Sequence, residues 1–275
     1  MLKTLTRCWW SIVFVLIAYP STSIAESGAP TAGQIWKEPV TGMEFVWVSE
    51  GCYEMGCGNW TSDCTHDEKP VHEVCVDGFW MGKTEVTQGQ WKRVMGNNPS
   101  YFKEKGDNYP VEQVGWTDGK RFAEKLTAMN NGTFSFRFPT EAEWEYACRS
   151  GGKLEKYAGG NDVNLVAWYH GNSKRSTHPV TTKAPNGLGL YDLSGNVGEW
   201  CEDEYDHKAY GKHQRNNPIF AKGKEFFTVG KSGVPRLIRG GSWNYEAKLS
   251  RCAFRGFEGS SHHSRSIGFR IVRKK

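Results

Sequence analysis

The chain has 275 residues and a mass of 31.0 kDa, with 38% hydrophobic residues, 24% charged residues and a mean hydropathy of −0.62. That balance excludes a disordered chain and a protein of several membrane spans, and it suits one large domain or two small ones. The net charge of +5 is spread with both signs interspersed, so nucleic acid and anionic lipid gain no support as partners. Glycine (32) is abundant alongside 12 Trp, 11 Tyr and 14 Phe, a pairing that favours packed loops over long helices.

Residues 1–25 read as a signal peptide. Lys3 and Arg7 form a basic start, residues 9–19 are apolar, and Ser23-Ile24-Ala25 offers small residues for cleavage before Glu26. The apolar run is too short to span a bilayer, so the mature chain is expected in the periplasm, soluble and not embedded in the membrane. Cleavage removes Lys3 and Arg7 and takes the charge from +5 to +3. Residues 26–40, rich in Ser, Gly, Ala and Pro, read as a linker. From 41 to 275 no repeat or low-complexity stretch divides the sequence, which predicts one domain.

Loss of Cys8 leaves Cys52, Cys57, Cys64, Cys75, Cys148, Cys201 and Cys252, and export permits disulfides. The strand-like stretches 45–55 and 71–81 flank the first four. An antiparallel hairpin there would nest Cys57–Cys64 inside Cys52–Cys75. The rival reading, a four-cysteine zinc site, lacks the closely paired knuckles such sites use. Three helices follow: 87–95 behind Thr87, 117–129 capped by Thr117 with Phe122, Leu126 and Met129 on one face, and 140–149. The last opens with the capping box Thr140-Glu141-Ala142-Glu143 behind Pro139. Beyond residue 150, Gly, Asn, Ser and Pro punctuate short β-like runs.

Several segments then occur in a fixed order: Gly42-Met43-Glu44-Phe45-Val46-Trp47-Val48, Val86-Thr87-Gln88-Gly89-Gln90-Trp91, Pro110-Val111-Glu112-Gln113-Val114-Gly115-Trp116, and Arg137-Phe138-Pro139-Thr140-Glu141-Ala142-Glu143-Trp144-Glu145-Tyr146-Ala147. They continue with Pro185-Asn186-Gly187-Leu188-Gly189-Leu190-Tyr191-Asp192, Gly195-Asn196-Val197-Gly198-Glu199-Trp200, Arg239-Gly240-Gly241-Ser242-Trp243 and Gly268-Phe269-Arg270. Together they resemble the formylglycine-generating-enzyme-like (sulfatase-modifying-factor) family over roughly residues 40 to 273. The resemblance implies an α+β fold akin to C-type lectins, with three short helices and short antiparallel strands. It implies a structural Ca²⁺ at Asp192, Gly195, Val197 and Glu199, whose carboxylates and backbone carbonyls are hard oxygen donors. It also implies a Cys148–Cys252 disulfide. A second family bridge would need cysteines at Ala123 and Ile271, and Cys201 is left as the odd thiol, packed as a small hydrophobe beside Trp200.

The sequence departs from the family's oxidising members at the reactive centre. Those members hold Cu(I) on two cysteines after the Gly-Gly-Ser motif, where soft thiolates are required. Here the interval from Trp243 to Arg251 has no cysteine, with Tyr245 and Ala247 near the two positions, and Gly198 stands where a tryptophan lines the site. No copper is therefore expected and no catalytic residue is assigned. His262-His263 and the acidic run Glu199, Glu202, Asp203, Glu204 and Asp206 read as solvated surface apart from the one calcium ligand. Non-oxidising relatives include exported regulators of type VI secretion that act on the periplasmic side of a membrane kinase. The resemblance thus implies a pseudoenzyme serving as a binding or regulatory module for a periplasmic or membrane-protein partner, with Trp243, Tyr245, Glu246 and Arg255 as the contact zone. The alternative it allows is altered chemistry in the same groove, as in siderophore chromophore maturation, with Glu246 as base.

Overall fold

A computed structural model of the chain describes residues 29–221 and 232–274; the expected signal peptide lies outside the described residues. The expected linker is not all linker: within it β1 (Ile35–Lys37) pairs antiparallel with β2 (Glu44–Val48), placing Trp36 against Phe45. The hairpin expected from the cysteines is split in two. β3 (Gly51–Met55) pairs with β4 (His72–Val76), while β2 pairs with β5 (Phe79–Gly82). Cys52 and Cys75 are register partners in the β3–β4 ladder and form one disulfide, and Cys57–Cys64 closes the loop between those strands.

α1 (Gln88–Met95) is capped as its sequence dictates: Thr87 Oγ1 accepts from Gln90 N at 3.3 Å, and Gln90 Oε1 accepts from Thr87 N at 2.9 Å. α2 (Trp116–Met129) starts one residue earlier than its sequence suggested, and Thr117 is not its cap. Asp118 is the reason, since its carboxylate takes the Gly115 N–H at 3.0 Å and fixes Gly115 as the entry residue. β6 (Phe136–Arg137) leads into α3 (Glu141–Cys148), where Thr140 and Glu143 exchange the same reciprocal cap. A fourth short helix, α4 (Val163–Val166), was not foreseen.

The remaining strands are β7 (Gly198–Glu204), β8 (Pro235–Arg239), β9 (Gly256–Gly259), β10 (Ile267–Gly268) and β11 (Val272–Arg273). They complete a five-stranded sheet ordered β1-β2-β5-β11-β6 and a four-stranded sheet ordered β10-β7-β8-β9. Pairing is antiparallel except between β10 and β7, which run parallel. Two large apolar clusters fill the interior, one around Met55, Trp144, Leu190 and Leu237, the other around Trp91, Phe122, Trp200 and Phe269, and a small third gathers Tyr157, Val166 and Ala167. Cys148–Cys252 ties the end of α3 to the C-terminal loops, and Cys201 is buried with a free thiol whose pKa burial pushes well up.

Every residue of α3 is buried, its three glutamates included, and Glu141 and Glu145 lie one turn apart on the same face. Glu141 meets Arg239 at 3.1 Å and Arg255 at 2.6 Å; Glu145 meets Arg239 at 2.5 Å and Arg149 at 2.7 Å. Tyr210 Oη donates to both carboxylates, at 3.1 and 3.3 Å. Burial costs each ion its hydration, and the pairing recovers that loss only while all partners are present. Arg239→Met is therefore expected to lower the unfolding free energy by about 3–5 kcal/mol. Lys120→Met, which breaks the half-exposed pair with Glu202 at 2.7 Å, is expected to cost at most about 1 kcal/mol. Urea unfolding of the two variants distinguishes the cases.

Candidate functional site

β7 begins at Gly198, directly after the 192–197 loop, and β8, which pairs with it, and β9, which pairs with β8, carry the walls of a small cleft. Ile238, Phe254 and Phe257 supply its apolar lining, and Ser242, Tyr245, Glu258 and Ser266 its polar groups. The cavity measures about 20 Å³, room for roughly one water. Gly198 is where the tight fit is made: a Cβ on it would lie 2.8 Å from Ile238 Cγ2. The space a tryptophan would need is thus taken by Ile238. No thiol or imidazole is among the lining residues.

The four residues expected as a contact zone separate in space. Trp243 is buried; its N–H donates to Asn196 O at 2.8 Å, its indole N–H to Arg265 O at 3.0 Å, and its ring meets Phe102 edge-on. It anchors the loop that presents Tyr245, which is 37% exposed. Glu246 is exposed, and its pair with Lys248 at 2.9 Å holds its pKa below the ordinary range. Arg255 does not belong to this surface. Its side chain is fully buried against Glu141 and over the Tyr210 ring, because the carboxylates of α3 need a third guanidinium.

The 192–199 loop concentrates buried charge. Asp192, at φ +59°, accepts the Thr181 N–H at 2.9 Å; Gly195 N donates to Gly240 O at 2.7 Å. Val197 N and Asn196 Nδ2 donate to Glu85, at 3.0 and 2.8 Å. Glu199 accepts two bonds from Arg270, both at 2.6 Å, and one from the Trp144 indole at 2.6 Å. Three buried carboxylates, those of Glu85, Asp192 and Glu199, thus share one guanidinium. Burial pushes Glu85 well up and Asp192 to about 6. An excess of buried negative charge beside an all-oxygen donor set fits a hard cation such as Ca²⁺. Within that set Glu199 is the most engaged by the protein itself.

Other candidates resolve into ordinary contacts. Among the described residues, the one group of three metal-type atoms within 4.8 Å is Cys57, Cys64 and Glu68. Its sulfurs are joined in a disulfide and its carboxylate is held by Arg251 at 2.7 Å. His263 pairs with Asp118 at 2.8 Å, and His262 stands 4.0 Å from Glu258. Glu202, Glu204 and Asp206 pair with Lys120, Arg236 and Lys212. Asp203 is buried and accepts the Glu141 and Phe220 N–H groups, at 2.8 Å each.

A family model described as sulfatase-modifying factor enzyme 1-like domain matches residues 31–275. The chain belongs to this family. Among curated members and relatives, it is 29% identical to "Chaperone protein LppX" of Paenibacillus barcinonensis over 98% of this chain and 100% of that protein. It is 32% identical to the formylglycine-generating enzyme of Streptomyces coelicolor, over 60% of this chain and 52% of that protein. A third relative, "Serine/threonine-protein kinase Pkn1" of Chlamydia trachomatis, is 28% identical over 84% of this chain but only 38% of its own length. Of solved structures, Treponema denticola variable protein 1 aligns with a TM-score of 0.69 and 28% identity, covering 88% of this chain and 99% of that one. PvdO from Pseudomonas aeruginosa aligns at 0.75 and 24%, over 90% and 100%, a likeness of fold.

Two groups at this sulfatase-modifying-factor site escaped the sequence reading. Glu85 adjoins the Val86–Trp91 motif, and that position was its only sign. Glu112, inside the Pro110–Trp116 motif, accepts the Tyr101 and Phe102 N–H groups at 3.0 and 2.9 Å and so fixes the loop that packs Phe102 on Trp243. Burial raises its pKa from 4.5 to about 7. A folded-state pKa above the unfolded one means protons are taken up on folding. The stability tied to Glu112 is therefore full below about pH 4.5 and lost as pH rises through 7, a change of up to about 3 kcal/mol. Glu112→Gln is expected to flatten the decline in stability between pH 5 and pH 8, measured by denaturant unfolding at both ends.

Proposed function

We propose that this chain is an exported, non-oxidising member of the family that works in the periplasm as a binding module for a protein partner. The observation that carries the reading is the filled centre. Tyr245 and Ala247 occupy the stretch where oxidising members place thiols, and Ile238 closes the space over Gly198 to about 20 Å³. The groove keeps an exposed rim, Tyr245 with Phe257, on a sheet edge and a loop held rigid by Trp243. Full-length similarity to a protein named as a chaperone supports partner binding. The setting we propose is a membrane-kinase pathway of the type VI secretion kind; the matching segment within a protein named as a kinase supports that association. The alternative of altered chemistry draws little from Glu246, which lies outside the lining of the cleft and is paired with Lys248.

The test combines capture with turnover. Immobilised wild-type chain should retain one dominant protein from periplasmic and solubilised membrane extract, with recovery at least tenfold lower on Tyr245→Ala resin. The same preparation should consume no O₂ with a sulfatase-type cysteine peptide or a phenolic substrate. Oxygen-dependent turnover without a retained partner would reverse the reading.

We also propose that Ca²⁺ occupies the 192–199 loop as a structural ion held by Asp192, Glu199 and the carbonyls of Gly195 and Val197. The buried carboxylate excess supports it, and the ion would neutralise that excess. Chelation is then expected to lower the thermal midpoint of wild type, by several degrees for a site of a few kcal/mol, and to leave Asp192→Ala unmoved. Calorimetry with and without chelator decides it: equal midpoints for wild type would remove calcium from the loop.

A further inference from the structure

Away from the cleft, two imidazoles meet at the edge of the β3–β4 ladder. His72 lies on β4 opposite Met55, and His213 lies just past the 3-10 turn Ala209–Gly211. Their backbones are strapped together. Cys75 N donates to Arg215 O at 2.7 Å, Asn217 N donates to Cys75 O at 2.7 Å, and the Cys52–Cys75 disulfide secures β4 in turn. Both rings are thus positioned before any ligand arrives.

Their protons can be placed by elimination. His72 Nδ1 lies 2.9 Å from Pro70 O, and a carbonyl only accepts, so in the neutral ring Nδ1 carries the hydrogen and Nε2 is a bare lone pair. That lone pair faces His213 Nδ1 at 3.1 Å. His213 Nδ1 must then be the donor, and this leaves His213 Nε2 as a buried nitrogen without a hydrogen-bond partner. Both side chains are half-buried, with the Tyr210 ring 4.9 Å from one and 5.3 Å from the other.

We propose that His72 and His213 form an open two-histidine site for a borderline divalent transition metal, Zn²⁺ or Cu²⁺ by class. Two nitrogens bound to one such ion at about 2.0–2.1 Å stand roughly 3 Å apart, and the rings already present that spacing at 3.1 Å. The Pro70 carbonyl is the outer contact that orients a ligating imidazole and raises its basicity. On binding, the hydrogen of His213 moves from Nδ1 to Nε2, and the two rings tilt so that both lone pairs converge on the ion beside the line joining them, with no net proton release. Solvent fills the remaining coordination positions, so the site stays open to a further donor. The site stands apart from the Tyr245 rim and does not depend on the function proposed above.

Calorimetric titration of the purified chain with Zn²⁺ alone, in Ca²⁺-saturated buffer so that hard-cation sites are filled, is expected to show one equivalent bound. His72→Gln and His213→Gln should each weaken it at least tenfold, while His170→Gln, at an exposed imidazole, leaves it unchanged. Cu²⁺ electron paramagnetic resonance supplies a readout on the wild type itself, with coupling from two nitrogens expected there and from one in each variant. Unaltered Zn²⁺ affinity in both variants, no stoichiometric Zn²⁺ in the wild type, or a copper spectrum lacking two-nitrogen coupling would overturn the site.

Discussion

The ion network under α3 is the constraint on which the rest of the molecule depends. Two carboxylates with no exposure sit on one helix, and their guanidinium partners come from the end of α3, the end of β8 and the segment before β9. Each partner is obligatory, because an unpaired charge at that depth has no water to turn to. The network therefore dictates which loops must come together and from which direction. It also explains why so much irregular chain is held fast: Arg239 donates to the Cys252 and Ala253 carbonyls, Arg255 to those of Asp67 and Asp206, and Arg149 to Gly56 O. Where strands and helices are short, guanidinium groups do the work of backbone ladders.

That architecture sets what was readable in the amino-acid string. The cap at Thr87, the capping box at Thr140 and the cysteine ladder were readable because each is local: the partners lie within a few residues or on adjoining strands. Long-range pairing was not. Nothing near Arg255 marks it as a buried partner of Glu141, 114 residues away, so an arginine in a loop was taken for surface. β1 was hidden within a stretch of linker-like composition because Ile35–Lys37 becomes a strand only by pairing with β2. Thr117 lost its expected role to Asp118, whose carboxylate reaches the Gly115 N–H from three residues downstream.

The centre of the site follows the same division. The lack of cysteine between Trp243 and Arg251 and the glycine at 198 are visible in sequence, yet their surroundings are not, since a glycine there could border an open pocket or a filled one. Ile238 decides in favour of filling. Glu112 and Glu85 were invisible for the opposite reason: their importance lies in the backbone N–H donors gathered around their carboxylates, which no nearby motif announces.

The place of β11 in the five-stranded sheet carries a consequence for how the chain reaches this state. Val272 and Arg273 are not at an edge; they lie between β5 and β6 and are paired on both sides. The larger sheet therefore cannot close until the chain has been made at least as far as Arg273. Its contacts are predominantly between distant parts of the sequence, which slows folding because long loops must close before those contacts form. Until β11 pairs, β5 and β6 each present an open edge, the kind of surface that invites mispairing during folding.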